Sequence, residues 1–547
     1  MIDRFWRSGS GVRSRASVSR VASVFLVLAL WSTAILVVLA TGIRSTAAPS
    51  PEIRLRVMTF NIFYGGDEID LTSNNWCLRP AGCQETFEKV LDTIRAANAD
   101  VIGLQEAVMN TRRIADRLGW YHSERMQIVS RFPLIDPPGG DGLYILVEPS
   151  PGRVAALANV HLPAEPYGPY EVQAGASAEQ VIALEEAVRL PPLRRHLEVL
   201  PRLAAQGIPV FLTGDFNSPS HLDWTAAVAD ARADVPYPLE WPVGRVLAAA
   251  GFEDSYRIVH PDPLGRPGLT WTPGSLEAIP NEVHDRIDWV LAGGPATAIA
   301  STLVGEVGNP EVAVAMDPYP TDHRGVVSTF LVDPGEMPTL VAVDTRRLEA
   351  GEPLTVRFHS DGRLAERVAI VPAGASASVA VASQSTGRAM DGTLRFSTMV
   401  LRPRPYEALL VARDGRELAR IPFWLYESGA PTTVTTAKKV YERGEPIVVY
   451  WANAPGMKWD WVGLYEAGDN DGSPISTTCF TGYCGNGHYL MYEYTSGTIE
   501  GSTAFTEMSP PGSGMWPLRP GIYEFRLLLD DGYRSVASSA QFKVLQR

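Results

Sequence analysis

The sequence predicts a layered α/β domain followed by two all-β units, and three observations carry that expectation. From Arg54 to about Val332, short apolar strands alternate with stretches of helical spacing. After Asp333-Pro334-Gly335 helical periodicity almost disappears, and short β-branched and aromatic runs alternate with Gly/Asp/Ser turns. The all-β part also contains an internal repeat. The chain has 547 residues, enough for several domains that each bury a core. Its 45% hydrophobic content excludes a disordered chain. A net charge of −13 argues against a protein that coats nucleic acid non-specifically, while leaving room for a local basic groove.

The N-terminus comes first. Arg4, Arg7, Arg13, Arg15 and Arg20 precede the stretch 21–43, which carries no charge and is closed by Arg44. As a helix this run spans about 34 Å, enough for a hydrocarbon core of about 30 Å. The arginine flank places the preceding end in the cytoplasm and everything after it outside. Residues 1–50 are therefore expected to form a basic flank and an uncleaved transmembrane signal anchor, making the membrane a partner through this helix. A cleaved signal peptide is the alternative, because Thr46-Ala47-Ala48 offers small residues for cleavage. The first places the protein in the cell membrane with its larger part outside the cytoplasm, and the second secretes it.

In the α/β segment (52–333), strands are expected at 55–60, 101–104, 154–160, 209–213, 289–292 and 326–331. Phe87, Val90, Leu91 and Ile94 recur at helical spacing; Ile182 to Leu200 does so less cleanly, since Pro191-Pro192 breaks the run. In the all-β part, EAGEPL at 349–354 returns as ERGEPI at 442–447, and VAIVPAG at 368–374 as VGLYEAG at 462–468. Leu401-Arg402-Pro403, Tyr406-Glu407 and Asp414-Gly415 return as Leu518-Arg519-Pro520, Tyr523-Glu524 and Asp531-Gly532. Two units, 337–428 and 430–547, fit tandem β-sandwiches better than a solenoid of shorter repeats. The four cysteines fall as two close pairs, Cys77/Cys83 and Cys479/Cys484, without zinc-site spacing. Local disulfides are the expected reading for an exported chain.

The candidate site residues sit at the ends of the expected strands. Asn61 ends the first, Glu106 follows the second, His161 the third, and Asp215 and Asn217 the fourth; Asp288 opens the fifth, and Asp322 and His323 precede the sixth. Strand ends are where layered α/β domains gather side chains around a cleft. Carboxylates and amides without cysteine suit Mg²⁺, Mn²⁺ or Ca²⁺. Such a cation offsets carboxylate repulsion and polarises a phosphoryl oxygen, while a carboxylate positions the attacking water.

Six motifs in order, TFN at 59–61, LQE at 104–106, HLP at 161–163, GDFN at 214–217, RIDWVL at 286–291 and TDH at 321–323, together with SRFPL at 130–134, resemble the endonuclease/exonuclease/phosphatase superfamily, the fold of deoxyribonuclease I. The resemblance implies a four-layer α/β/β/α sandwich and a divalent-metal-dependent phosphoester hydrolase, most simply a phosphodiesterase. It implies Mg²⁺ held chiefly by Glu106, with Asn61 and Asp322 completing or supporting the metal site. Asp215 would orient or deprotonate water, Asn217 would hold a phosphate oxygen, His323 would contact the scissile phosphate, and His161 would be a second imidazole there. Two registers are open for the carboxylate that orients His323: Asp285 in DRI or Asp288 in RID, the latter favoured because WVLAG follows directly.

The substrate class stays open between nucleic acid and phospholipid head groups. Lys89 is the only lysine of 52–335, and Arg112, Arg113, Arg117, Arg194 and Arg195 read as solvated helix faces. The insertion carrying Tyr167 and Tyr170 is a candidate lid over a smaller head group. WVGLY at 461–465 and the YEFR and DDG sequences of the second repeat resemble the SKICH-type immunoglobulin-like module, which implies binding or targeting and not catalysis. Trp451, Trp459 and Trp516 are assigned mainly to core packing. A non-catalytic surface binding protein that keeps the fold is the competing functional class; it predicts gaps in the constellation.

Overall fold

The computed structural model describes residues 52–546 apart from 74, 78, 80–81, 273–281, 361–364 and 471–484. The expected membrane segment and the Cys479/Cys484 pair lie outside the described residues. Among the described residues no helix is long and apolar enough to cross a membrane. Cys77 and Cys83 form a disulfide.

Two seven-stranded sheets build the α/β part. The first runs Val312–Met316, Ala296–Glu306, Gly325–Val332, Ile53–Asn61, Val101–Gln105, Ile128–Ser130, Tyr121–Ser123. The second runs Glu253–Asp254, Asp288–Gly293, Val210–Asp215, Arg153–His161, Ile145–Ser150, Leu134–Ile135, with Gly335–Glu336 beside Arg153–His161.

The period-2 alternation of each strand assigns its faces. In the first strand Leu55 and Val57 join Phe211, Val290, Leu157 and Phe330 in a core between the sheets. The intervening Met58 and Phe60 pack outward against Phe87, Val90, Leu91 and Ile94 of the helix Gln84–Ala97. On the second sheet Val210, Leu212, Trp289 and Leu291 point outward to Leu193 and Leu200 of the helix Leu190–Ala205 and to Val243 and Leu247 of Pro242–Ala249. The result is four layers, helix on sheet on sheet on helix. The run Ile182 to Leu200 is divided at the prolines as expected. One helix, Ala178–Val188, ends just before them, and Pro191 and Pro192 occupy the first turn of the next, Leu190–Ala205, where no intrahelical N–H is required.

After Gly335–Glu336 the chain forms two successive two-sheet sandwiches, of three and five strands, then of three and six. The repeat is visible in three dimensions. In both units a tyrosine hydroxyl donates to the carbonyl four residues upstream, Tyr406 to Arg402 at 2.9 Å and Tyr523 to Arg519 at 2.7 Å. This corner is a known feature of immunoglobulin-type sandwiches. Trp451 and Trp459 are buried and Trp516 packs against the core of the second unit.

The second sandwich lies against the α/β part. The Arg125 guanidinium donates to the carbonyls of Gly456 at 3.2 Å and Gly497 at 3.0 Å. Asp530 accepts the Met109 N–H and the Gln127 side-chain amide, both at 2.8 Å.

Candidate active site

The site grows out of the same alternation. Asn61, His161, Asp215 and Asp288 all occupy inward-facing positions at the ends of neighbouring strands, and the pairing register sets Asp215 beside both His161 and Asp288. Two residues earlier on these strands, and at the end of Val101–Gln105, lies a polar layer between the sheets. Thr59 Oγ1 donates to Gln105 Oε1 at 3.2 Å, Gln105 Nε2 to Asn159 Oδ1 at 2.7 Å, and Thr213 Oγ1 to the same oxygen at 3.0 Å. Gly103 is required here, because a Cβ would sit 2.1 Å from Thr213 Oγ1 and 2.4 Å from Asn159 Oδ1.

Glu106 is the exception to alternation. Continuing its strand, it would face the outer helices; a φ of 55° turns it back to the cleft. Its Oε1 accepts from Asn61 Nδ2 at 3.1 Å and its Oε2 from the Tyr64 N–H at 3.0 Å. The same Asn61 Nδ2 reaches Asp215 Oδ2 at 3.1 Å, while Asn61 Oδ1 accepts the Phe63 N–H at 3.0 Å. Asn61, expected to complete or support the metal site, therefore turns its donor, not its carbonyl, toward Glu106 and Asp215.

Both imidazoles converge on Asp215. Its Oδ2 lies 3.6 Å from His323 Nε2 and 3.7 Å from His161 Nε2. Asp288 Oδ2 holds His323 Nδ1 at 2.9 Å. Asp288 is itself set by Thr270, whose hydroxyl accepts the N–H of Ile287 at 3.0 Å and of Asp288 at 3.1 Å. Asp285 points elsewhere, accepting from Trp224 Nε1 at 2.9 Å and the Tyr167 hydroxyl at 3.2 Å. Of the two registers, Asp288 is the one in contact with His323. Asn217 donates one amide hydrogen to the Leu162 carbonyl at 2.9 Å. Asp322 lies next to His323 in the chain and receives a hydrogen bond from Thr321 Oγ1 at 3.4 Å.

The electrostatics follow from crowding. Burial, reinforced by Asp288, pushes the Asp215 carboxyl above the usual carboxylate range, and burial does the same to Asp322. Burial alone would pull His323 down, but Asp288, Asp215 and Asp322 hold its imidazole well above its ordinary value. Burial likewise opposes the His161 charge, yet Asp531 and Asp215 carry that imidazole up to about 10.

Asp215, Asp288 and His323 each bring a ligating atom within 4.8 Å of the others, forming a group able to hold a metal. Asp288 Oδ1 is buried without a hydrogen-bond partner. With Glu106 and Asp322, the cleft offers carboxylate oxygens under mutual repulsion, a donor set that fits a hard divalent cation.

Aromatic rings flank the cleft. Tyr167, Tyr170 and Trp271 pack edge to face, with Trp271 6.5 Å from the His323 ring. On the Glu106 side, Tyr64 lies 6.2 Å from Tyr533 of the second sandwich. Tyr167 is buried, as a packed wall residue. The expectation of solvated arginine faces is modified by the ion pairs Arg113–Asp67 at 2.7 Å and Arg117–Glu88 at 2.6 Å.

Sequence reasoning missed the polar layer, Thr270 and Trp271. It also missed Asp531, which meets His161 from the second sandwich at 2.6 Å. The layer had a signal: Thr59, Asn159 and Thr213 stand two residues before site residues, on the same strand face. Asp531 is 370 residues from His161 in the chain, and its Asp-Gly turn has nothing local to announce the contact.

Four layers with this constellation at the ends of paired sheets define a deoxyribonuclease I-like α/β fold. Residues 58–323 match the model of the endonuclease/exonuclease/phosphatase family. An uncharacterized protein of Caenorhabditis elegans is 27% identical over 328 residues, covering 54% of this chain and 97% of its own length. Among solved structures, an endonuclease/exonuclease/phosphatase from Beutenbergia cavernae aligns at 18% identity over 68% of this chain and 100% of its own, with a TM-score of 0.31. An AP endonuclease from Archaeoglobus fulgidus aligns at 14% identity over 50% of this chain and 98% of its own, with a TM-score of 0.29.

Proposed function

We infer that the protein is a divalent-metal-dependent phosphodiesterase that acts outside the cytosol. The observation that carries this reading is the convergence of two imidazoles on Asp215 Oδ2, at 3.6 and 3.7 Å, with Glu106 tied to the same point through Asn61. A cation, Mg²⁺ by the hardness of the donors, would be held by Glu106 with Asp322, Asn61 supporting their placement; when bound it supplies charge neutralisation and polarisation of a phosphoryl oxygen.

Asp215 then orients a water and accepts its proton as the phosphorus is attacked. His323, held by Asp288, donates from Nε2 to a non-bridging phosphate oxygen. His161 donates to a second oxygen or to the departing alkoxide, and Asn217 contributes its remaining amide hydrogen. The export reading is supported by the uncharged run 21–43 after an arginine flank and by the Cys77–Cys83 disulfide.

The substrate we favour is a compact phosphodiester with a flat or apolar substituent. Its support is the pair of aromatic walls and the acidic balance of 52–335, which holds 37 acidic against 21 basic residues. Hydrolysis of bis-(p-nitrophenyl) phosphate with Mg²⁺, abolished by EDTA and by Glu106→Ala, is the expected result. A panel of plasmid DNA, RNA, sphingomyelin, phosphatidylinositol phosphates and cyclic dinucleotides then separates the substrate classes. A well-folded protein that binds no Mg²⁺ and turns over none of these would instead be the non-catalytic binding protein.

A further inference from the structure

We propose that Asp531, at a turn of the second C-terminal sandwich, is a positioning residue for His161, so that this module completes the active site of the α/β domain. The proposal rests on the phosphodiesterase reading for what His161 does, but the contact itself stands on geometry. Asp531 Oδ2 meets His161 Nδ1 at 2.6 Å, leaving Nε2 aimed at Asp215. The other oxygen, Oδ1, accepts from the Tyr494 hydroxyl at 2.7 Å. Both carboxylate oxygens are thus engaged, and the side chain is 11% exposed.

The turn that presents Asp531 is held from several directions. Asp530 and Asp531 adopt φ of 46° and 65°, left-handed backbone for two successive non-glycine residues. The Asp531 N–H donates to the Trp459 carbonyl at 2.9 Å, and the Asp530 N–H to Asp460 Oδ1 at 3.1 Å. Across the junction, Asp530 takes the Met109 N–H and the Gln127 amide. Met109 lies three residues past Glu106, so one turn is tied to both sides of the cleft.

The first repeat supplies an internal comparison. Its Asp414-Gly415 corresponds to Asp531-Gly532, but Asp414 is exposed and accepts only from the Arg416 N–H two residues on, at 3.0 Å. A turn of the same sequence origin serves itself in one copy and an imidazole of another domain in the other. A spacer or targeting module has no need to deliver a carboxylate into a cleft.

A carboxylate on Nδ1 fixes the His161 ring so that Nε2 carries the function, as in other carboxylate–imidazole pairs. The test compares wild type, Asp531→Asn, His161→Ala and the double variant, using bis-(p-nitrophenyl) phosphate with Mg²⁺ and imidazole NMR of the same full-length proteins. Asp531→Asn is expected to lower kcat about 10- to 100-fold with KM changed less than about 2-fold. In the His161→Ala background the same change should cost less than about 2-fold, since its target is gone. The His323–Asp288 pair gives one downfield Nδ1–H resonance in every variant; a second, assigned to His161 by its loss in His161→Ala, is expected in wild type and absent from Asp531→Asn. Multiplicative effects in the double variant, or a His161 resonance that survives Asp531→Asn, overturn the proposal. If wild type hydrolyses no phosphodiester the functional reading falls, and the resonance still decides the Asp531–His161 pairing.

Discussion

Arg286 sits two residues before Asp288 in the RIDWVL motif, and its replacement by methionine tests what anchors this end of the site. The side chain is fully buried and donates to Asp254 Oδ1 at 3.2 Å, Asp254 Oδ2 at 2.7 Å and Asp223 Oδ1 at 3.0 Å. Three charge-assisted bonds at about 1.5–3 kcal/mol each set an upper bound of roughly 5–9 kcal/mol. Part is retained. Asp223 keeps Arg257 at 2.6 Å, and Asp254 keeps the N–H groups of Tyr256 and Arg257 and the Ser220 hydroxyl. The remaining loss is the unpaired charge on buried Asp254, so Arg286→Met should cost about 3–4 kcal/mol, within the range for breaking a buried pair. Urea unfolding at pH 7 reads this directly, and adding Asp254→Asn should recover about 1 kcal/mol or more by removing the stranded charge. Although burial would raise Asp254, Arg286 holds its carboxyl below its ordinary value. The pair's contribution is therefore present above about pH 4 and lost as pH falls through the lower folded value, so wild type and variant should converge in acid. A loss below about 1 kcal/mol at pH 7, or an unchanged gap in acid, would refute the reasoning.

Three further outcomes are expected. Glu106→Gln should remove Mg²⁺ binding measured by calorimetry and lower turnover by about 10³-fold or more, because the carboxylate charge is lost while the strand end is kept. Reduction of Cys77–Cys83, which closes a loop of sequence separation 6, should lower stability by about 2 kcal/mol, measured as a fall in Tm with reductant that Cys77→Ser abolishes. Lys458, whose ammonium donates to the Asn159 carbonyl across the junction, is pushed down to about 7 by burial and by Arg125. The unfolded chain then binds the extra proton between about pH 7 and 10.5, so this group makes stability rise with pH there; Lys458→Met should flatten the slope of unfolding midpoint against pH between 7 and 9.

The fold was legible because strand alternation is local. Leu55, Val57, Met58 and Phe60 declare both faces of one strand, and the helix at Phe87 to Ile94 declares what covers the outer one. The site was legible for the same reason, since strand-end polar residues interrupt apolar runs that would otherwise continue. Glu106 was found from its motif while its geometry was not, because the φ of 55° that returns it to the cleft leaves no mark in a stretch reading LQEAV. Asp285 against Asp288 could not be separated by spacing; Trp224 and Tyr167, far away in the chain, make the distinction. Pro191-Pro192 marked a true boundary, since a helix breaker is also a helix starter: Ala178–Val188 ends just before the pair and Leu190–Ala205 carries it in its first turn. Asp531 was illegible in principle, since its role depends on docking between domains.

The layer of Thr59, Gln105, Asn159 and Thr213 has a mechanical consequence. Half of the cleft is carried by each sheet: Asn61 and Glu106 on one, His161, Asp215 and Asp288 on the other. Two apolar faces could slide over one another at little cost, because dispersion has no preferred register. Two directional bonds cross between the sheets at Asn159, from Gln105 Nε2 to its Oδ1 and from its Nδ2 to the Leu104 carbonyl. They span a gap where a Cβ on Gly103 would clash, and they remove that freedom. The reacting groups therefore behave as jaws of a caliper locked at one gauge, and changes in loops can alter what enters the jaws without altering how far apart they stand.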